Sequence, residues 1–325
     1  MSDSPPVAAH PDRVTLLAFL GLVLIGGANA IAVKVTVQEL APFWGAAMRF
    51  AAAGFLMLVL VAAMRRPLPR GRSLWGAALY GVVGPAAGNA FAYVALHQGV
   101  PVGTGMVLIA LTPLFTFGLA IAQGQERFHV QGLLGALIAL VGIGVVFVDQ
   151  LSADVALLPL LLCILAAVAI AEAGIIVKWI PRSDPFATNA VAILVAALPL
   201  FVLSWVAGEP RALPIQAATW AAVGYVVVLG TVALFALYVF TLQRWTASAV
   251  SYMTLVMPLV TVTLGAVLLG EQITPSFLLG GAVILGGVYV GAFLKIRPRR
   301  SSASSLPECL PIDASAEAEP EAARA

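Results

Sequence analysis

The sequence predicts an all-α integral membrane protein with ten transmembrane helices arranged as a 5+5 inverted repeat. Three observations lead to this fold class: an apolar composition, a series of long apolar runs, and polar residues that recur about 145 positions later. Hydrophobic residues make up 61% of the 325-residue chain, charged residues make up 10%, and the mean hydropathy is +1.02. A soluble globule of this size needs more surface charge, so the chain is expected to lie in lipid.

The apolar runs are long enough to cross a hydrocarbon core of about 30 Å, which takes about 20 helical residues. They lack the alternation of a membrane β-strand, so helices are expected. The ten predicted helices are 14–33, 42–63, 73–98, 101–123, 129–148, 155–178, 185–207, 217–240, 246–269 and 276–295. They form two units, 14–148 and 155–295, between a cytoplasmic N-tail at 1–13 and a disordered cytoplasmic C-tail at 296–325.

The repeat relates residues that apolar composition alone would not duplicate. Seven residues recur without a gap: Tyr93, Pro113, Leu114, Thr116, Glu126, Gly135 and Gly142 correspond to Tyr238, Pro258, Leu259, Thr261, Glu271, Gly280 and Gly287. Because five helices is an odd number, the second unit enters the membrane in the opposite orientation to the first. Inverted repeats of this kind are typical of secondary transporters, which alternate access between the two sides.

Basic residues orient the predicted helices. One side of the membrane would hold most of them: Arg13, Arg65, Arg66, Arg70, Arg72, Arg127, Lys178, Arg182, Arg244, Lys295, Arg297, Arg299 and Arg300. The other side would hold Lys34 and Arg211. Since positive charges collect in cytoplasmic loops, both termini are expected in the cytoplasm, with the helices in a bacterial inner membrane. The six tryptophans lie near predicted helix ends and are expected in the headgroup zone.

The first apolar run also has features of a cleavable signal peptide, since Arg13 precedes it and small residues follow it. However, Val33-Lys34 before Pro42-Phe43 has a counterpart in Val177-Lys178 before Pro185-Phe186. Cleavage would remove one member of this matched pair, so the run is expected to remain as a helix.

Short motifs recur in a fixed order along residues 14–295. They are Pro42-Phe43 and Met48-Arg49-Phe50, then Leu111-Thr112-Pro113-Leu114-Phe115 and Gly124-Gln125-Glu126-Arg127, then Met257-Pro258-Leu259 and Gly270-Glu271. In this order the chain resembles the drug/metabolite transporter superfamily, specifically its EamA type. The resemblance implies a ten-helix inverted-repeat carrier, commonly an exporter of amino acids or other small metabolites. The chain departs from the pattern at Gln272, where a basic residue is expected, and at Glu172, where an uncharged residue is expected.

Two prolines mark the expected centre of the site. Pro113 and Pro258 are predicted near the middles of the fourth and ninth helices, where each would kink its helix and free backbone carbonyls. Freed carbonyls need a cavity, water or a neighbouring side chain, so Thr112 beside Pro113 is a cavity candidate. A kink that serves packing alone is the alternative.

Polar residues inside the predicted helices supply the other cavity candidates. Asn89, Tyr93 and His97 are four residues apart, hence on one helix face, and are expected to turn away from lipid. Asn29, in the first helix, offers hydrogen bonds to a substrate, and Tyr238 is a candidate as the mate of Tyr93. Tyr93 and His97 fit equally well as membrane-interface residues.

Four charged residues have proposed roles. Glu172 is the carboxylate predicted deepest in a span, so it is both a cavity candidate and the candidate for proton coupling. The alternatives are a salt bridge, a hydrogen bond to another helix, or contact with water near the helix end. Arg49 is a buried charge that is expected to pair or cap, or else to bind a substrate carboxylate. Glu126 and Glu271 are gate or cap candidates at opposite faces.

These residues favour a secondary active transporter that exports a small metabolite, such as an amino acid or amphipathic compound, by alternating access. The alternatives are an organic-phosphate or nucleotide-sugar exchanger, which needs more buried cations, and a non-transporting membrane scaffold. The partners expected are the lipid bilayer and a small-molecule substrate, with no nucleic acid; a homodimer through Gly287 and Gly291 is a further option. No catalytic residue, cofactor or metal is expected, since no motif for one occurs.

Overall fold

The computed structural model describes residues 11–98, 100, 102–148, 156–181, 183–269 and 274–293. Every regular element in these ranges is helical. The helices are α1 (Arg13–Thr36), α2 (Pro42–Ala63), α3 (Arg72–Gly81), α4 (Asn89–His97), α5 (Val102–Ile109), α6 (Thr112–Ala122), α7 (Val130–Val146), α8 (Leu157–Trp179), α9 (Pro185–Val206), α10 (Ala217–Val227), α11 (Leu234–Leu242), α12 (Ala247–Ser251), α13 (Met253–Leu269) and α14 (Pro275–Val288). The predicted C-tail lies outside the described residues.

Seven helices in the described ranges are long and apolar enough to cross a membrane. They are Arg13–Val33, Pro42–Ala63, Leu157–Trp179, Pro185–Val206, Ala217–Leu242, Ala247–Val267 and Pro275–Ala292. Two shorter apolar helices, Val107–Ala122 and Val130–Val146, accompany them. The prediction of an all-α integral membrane protein is therefore confirmed.

Helix starts follow from the local sequence. Asp12 caps α1 by accepting a hydrogen bond from Thr15 N at 2.8 Å, and Asp184 caps α9 by accepting one from Phe186 N at 2.9 Å. Proline occupies the first turn of α2, α9 and α14, where the missing N–H has no helical partner to lose. These helices therefore begin where a cap or proline permits it.

The two predicted mid-helix prolines lie in different settings. Pro113 is in the first turn of α6, because the helix is already broken at Ala110 and Leu111; the prediction of one continuous helix over 101–123 is wrong here. Pro258 lies inside α13, as predicted, but the break in that segment falls at Tyr252. The two halves therefore bend their equivalent segments at different positions.

Two π-helical turns lie at equivalent positions of the two halves. The first, Val82–Gly88, joins α3 to α4, and the second, Val228–Ala233, joins α10 to α11. Both combined segments begin 145 residues apart and end 145 residues apart. The first turn contains Pro85, and Gly230 occupies the matching position in the second. Since a π turn interrupts the regular helical hydrogen bonds, each turn leaves backbone groups for other partners.

Glycine faces hold α7 against α14. A Cβ atom at Gly142 would lie 2.7 Å from Ile284 N, and one at Gly135 would lie 2.3 Å from Gly291 Cα. The order of these contacts is reversed along the two helices, so they run antiparallel. Gly287 and Gly291 are occupied by this packing within the chain, so contact between two copies would have to use another surface.

Polar contacts join the helix termini at each end of the bundle. At one end, Arg66 pairs with Asp184 at 3.8 Å and Arg244 pairs with Asp12 at 3.6 Å. We call this the basic end; it contains the starts of α1, α3, α7, α9 and α12. The opposite end contains the end of α1 and the starts of α2 and α10, where Trp44 Nε1 donates to Ala212 O at 2.8 Å.

The largest buried cluster fills the basic half of the bundle and includes Trp245, Tyr80 and Tyr238. Trp245 is 1% exposed and meets the Phe19 ring edge-on, with centroids 5.6 Å apart, so its prediction as a headgroup residue is wrong. Trp75 and Trp179 are mostly exposed. Position near a helix end does not settle which way the ring points.

We expect Gly142→Ala to lower the free energy of unfolding by about 1–3 kcal/mol, because the new methyl group would clash with the backbone of α14. Gly144→Ala is the matched control, since a Cβ at Gly144 meets nothing within 4 Å. Thermal unfolding of both purified variants in detergent tests this. Equal melting temperatures would contradict the proposed backbone contact.

Candidate functional site

The π turn between α10 and α11 brings three helices together. The Thr231 hydroxyl donates to Val226 O of α10 at 2.6 Å, just before the turn. Gly230 has no side chain, and Asn29 of α1 uses the space: a Cβ at Gly230 would lie 1.9 Å from Asn29 Oδ1. A side chain at this position would therefore displace the Asn29 carboxamide.

Arg49 of α2 binds the same turn. Its Nε donates to Thr231 Oγ1 at 2.7 Å and its Nη2 donates to Gly230 O at 2.8 Å. The ion pairs found among the described residues are those of Arg66 and Arg244, so Arg49 has no carboxylate partner there. The partly buried Arg49 guanidinium thus donates to the Gly230 carbonyl, while its positive charge has no counter-ion among the described residues.

A cleft lies beside Arg49 and opens toward the opposite end of the bundle. Its cavity volume is about 20 Å³ when the open space outside is left out, so the cleft is narrow in this conformation. Its lining is mainly apolar, with Arg49 and Tyr93 as its larger polar side chains: Val33, Thr36, Val37, Leu40, Ala41, Pro42, Gly45, Ala46, Met48, Arg49, Tyr93, Val223 and Val226. Neither Pro113 nor Thr112, around which the sequence analysis places the site, lines this cleft.

Two glutamates fasten the loops at the mouth of the cleft. Glu39 follows α1 and accepts hydrogen bonds from Ile215 N at 2.7 Å and Gln216 N at 3.3 Å, just before α10. Glu209 follows α9 and accepts from Trp44 N at 2.8 Å, in the first turn of α2. Each carboxylate thus binds the exposed amides at a helix start, where negative charge is favourable.

An aromatic pair closes the basic half. Tyr80 and Tyr238 stack with ring centroids 6.5 Å apart, and both are buried. Their equivalents in the repeat are Tyr225 and Tyr93, 145 residues away. In the described part of the chain these two make no ring contact with each other; Tyr93 meets Phe43 at 6.4 Å instead. The pair Tyr80 and Tyr238 is therefore stacked in the basic half, whereas the equivalent pair Tyr225 and Tyr93 is not stacked.

Sequence reasoning identified Tyr93 and Tyr238 but missed Tyr80 and Tyr225. The 145-residue spacing applied to Tyr80 would have found both. Gly230 and Thr231 were also missed, because nothing in a single sequence indicates a π turn that binds an arginine about 180 positions earlier.

The predicted acidic residues lie at the basic end or outside the described ranges. Glu126 Oε1 accepts a hydrogen bond from Ser248 N at 3.1 Å, at the start of α12, so it links the two halves. Glu172 accepts two hydrogen bonds from Gln123 Nε2, at 3.0 and 2.9 Å, close to the end of α6. Glu271 lies outside the described residues.

The remaining candidates are bonded locally. Asn89 Nδ2 donates to Pro85 O at 2.6 Å within its own helix. The Thr112 hydroxyl donates to Ile109 O at 2.6 Å, the carbonyl that Pro113 cannot serve. Asn29 Oδ1 is buried without a hydrogen-bond partner in the described part of the chain. The structure thus brings Asn29, Arg49 and Tyr93 toward one region and leaves Asn89, Thr112, Glu172 and Tyr238 out of the cleft lining.

A bundle of membrane-crossing helices with a cleft between its halves is the architecture of a membrane transporter, and comparison with known proteins gives the family. The model of the EamA-like transporter family matches residues 13–148 and again residues 157–292. The chain belongs to this family, and the predicted resemblance to EamA-type members of the drug/metabolite transporter superfamily is confirmed.

Similar proteins cover most of this chain. The uncharacterized inner membrane transporter YedA of Escherichia coli (strain K12) is 28% identical over 84% of this chain and 89% of its own length. A probable amino-acid metabolite efflux pump of the same organism is 28% identical over 86% of this chain and 94% of its own length. A solved crystal structure with 19% identity superposes with a TM-score of 0.73 over 86% of this chain and 96% of that one, which shows a shared fold.

The hydrogen bonds that Glu39 accepts make the stability of the folded chain depend on pH. Hydrogen bonding by Ile215 N lowers the pKa of Glu39 in the folded chain. The ionised carboxylate therefore favours the folded state above the ordinary glutamate pKa of about 4.3, and this contribution is lost as the pH falls through the lower folded value. We expect Glu39→Gln to lower the melting temperature at pH 7, with a smaller difference from wild type below about pH 4.

Gln38→Ala is the control for this prediction, because Gln38 is exposed and its side chain has no hydrogen bond in the described part of the chain. A difference between Glu39→Gln and wild type that stays constant from neutral to acid pH would contradict the assignment.

Proposed function

We propose that the protein is a secondary active transporter that exports a small metabolite by alternating access. The observation that carries this proposal is the unequal packing of four equivalent tyrosines. Tyr80 and Tyr238 stack at the basic end, whereas Tyr93, which lines the cleft, makes no ring contact with Tyr225 in the described part of the chain. A protein that closes one end while the other is open has the arrangement that alternating access requires.

Ten membrane-crossing helices in a 5+5 inverted repeat fit the helix bounds. The seven long helices are joined by α3–α4, α5–α6 and α7, which complete ten consecutive helical segments. The segment from Arg72 to His97 corresponds to that from Ala217 to Leu242. The family model likewise matches the two halves separately.

The orientation follows from the charges at the two ends. Arg66 pairs with Asp184 and Arg244 pairs with Asp12 at the basic end, which also holds most loops that carry positive charge. With both termini in the cytoplasm of a bacterium and the helices in its inner membrane, the basic end faces inward. The cleft then opens to the outside. The name of the relative YedA as an inner membrane transporter supports this location.

The inverted repeat supplies a second conformation. Exchanging the conformations of the two halves would stack Tyr93 on Tyr225 and separate Tyr80 from Tyr238. The first change closes the cleft, and the second opens a path from the basic end. The Glu39 and Glu209 contacts at the mouth hold α1, α2, α9 and α10 together, so they can move as a unit.

Glu172 remains the proposed proton-coupling residue. Its carboxylate is bound by Gln123, which caps the end of α6, and lies on α8 close to the closed basic half. Protonation would remove negative charge from an acceptor of two hydrogen bonds and weaken the contact between α6 and α8. The proton would thus favour separation of these helices when the basic end opens.

A comparison of culture media tests export. Cells producing the native chain should enrich particular metabolites in the medium, whereas cells producing a Pro113→Leu, Pro258→Leu variant at the same membrane level should not. Mass spectrometry would identify the metabolites, and purified protein in liposomes would then have to move them. A native protein that moves no solute in liposomes would favour a scaffold and overturn the proposal.

Cysteine accessibility tests the closed and open ends. In a Cys163→Ala, Cys309→Ser background, Met48→Cys in the cleft lining should react with an impermeant thiol reagent in intact cells and be protected in inverted vesicles. Leu242→Cys, at a position 1% exposed in the basic half, should be protected in both preparations.

Removing the stacked tyrosines Tyr80 and Tyr238 should end the protection of the cysteine at position 242. With Tyr80→Ala and Tyr238→Ala, the cysteine at 242 should become reactive in inverted vesicles, whereas the matched variant Tyr225→Ala should leave it protected. Reaction of the cysteine at 48 from the cytoplasmic side would contradict the orientation and the open cleft together.

Glu172→Gln tests proton coupling. The amide retains the hydrogen-bonding shape but cannot exchange a proton, so substrate flux in liposomes should lose its response to an imposed pH gradient while flux down a substrate gradient persists. Glu126→Gln is the control at the same end of the bundle. An unchanged response to the pH gradient in Glu172→Gln would exclude this residue as the coupling site.

A further inference from the structure

Arg49 is a charge without a counter-ion at the wall of a cleft. An unpaired cation inside a membrane bundle is costly, and such residues usually pair with an acid or act on a substrate. The acids in ion pairs in the described part of the chain, Asp12 and Asp184, belong to the basic end. The lining residues that the structure describes include no acidic side chain.

The guanidinium is fixed by two of its three nitrogens. Nε and Nη2 are bound to Thr231 and Gly230 in the π turn, whereas Nη1 has no hydrogen-bond partner among the described residues. These anchors fix the plane of the group, so that binding a ligand costs less side-chain freedom. Arg49 is therefore positioned to donate from Nη1 into the cleft that it lines.

The rest of the lining limits the ligand. Arg49 is the one basic side chain in the described lining, and the Tyr93 hydroxyl has no partner among the described residues. Valine, leucine and methionine supply most other contacts. A single cation balances a single negative charge, and a guanidinium binds a carboxylate strongly. An apolar wall suits a hydrocarbon body and offers little to a multiply charged phosphate.

We infer that the transported metabolite carries one carboxylate on a mainly apolar body, and that Arg49 Nη1 binds this carboxylate with Tyr93 as a second donor. The inference rests on the proposed function, since it names the substrate class of that cleft. It assigns Arg49 a positive charge that is neutralised when the site is loaded. Binding then pairs the Arg49 guanidinium with the substrate carboxylate, two charges that are each costly to bury alone in lipid.

Matched pairs of probes test this inference on the full chain in lipid nanodiscs. Hydrocinnamate and isocaproate each have an amide of nearly the same shape, so each pair differs mainly in charge. We expect the acids to bind wild-type protein about ten- to a hundredfold more tightly than their amides, as for a hydrogen bond to a charged group. Titration followed by microscale thermophoresis gives the dissociation constants.

Two variants test whether Arg49 causes the preference for the acid over its amide. Arg49→Gln should remove the difference between acid and amide, whereas Arg49→Lys should retain part of it because the charge remains. Arg66→Gln is the control, since Arg66 pairs with Asp184 at the basic end. If Arg49→Gln does not fold, as judged by its melting temperature, the wild-type comparison and Arg49→Lys decide the outcome.

Three results would overturn the inference: acids and amides that bind wild type equally, absence of binding by either acid to folded wild type, or an acid preference that survives Arg49→Gln. Liposome flux separates this inference from the proposed function. Transport of neutral solutes without acid preference would support the proposed transport function and contradict the carboxylate site. Acid-selective binding through Arg49 without any flux would support the carboxylate site and overturn the proposed transport.

Discussion

A backbone carbonyl that loses its helical N–H inside a membrane must find another donor, because lipid offers none. The structure depends on how this requirement is met wherever a helix is interrupted. At the break before α6, the Thr112 hydroxyl bonds Ile109 O, which Pro113 leaves without a donor. At the second π turn, Arg49 bonds Gly230 O. A hydroxyl suffices in the first case, whereas a long side chain from another helix is recruited in the second.

Recruiting Arg49 has a consequence for the site. A neutral donor would satisfy the carbonyl and leave no charge behind, but a guanidinium satisfies the carbonyl and keeps its positive charge. The described lining of the cleft carries no other charged side chain, so Arg49 is the main source of charge there. The same contact therefore serves both the integrity of the interrupted helix and the chemistry of the cleft.

The two halves share a helix plan but differ in packing. The π turns recur at equivalent positions, and α7 packs on α14 through glycines that lie on equivalent faces. In contrast, Tyr80 and Tyr238 stack while their equivalents do not. Because both arrangements use the same residue types at the same helix positions, neither is excluded by the local sequence. A small difference in energy between two such arrangements is what a carrier needs in order to visit both.

The sequence alone determined the membrane class, the outer bounds of most helical segments and the duplication, because hydropathy, proline caps and the 145-residue spacing are local or directly countable properties. It did not reveal the breaks at Ala110 and Tyr252 or the π turns. The tertiary structure decided which residues meet. It placed Thr231 beneath Arg49, buried Trp245 against Phe19 and put the cleft away from Pro113. These outcomes depend on contacts between helices distant in the chain, where many polar partners are equally reachable by sequence and packing selects one.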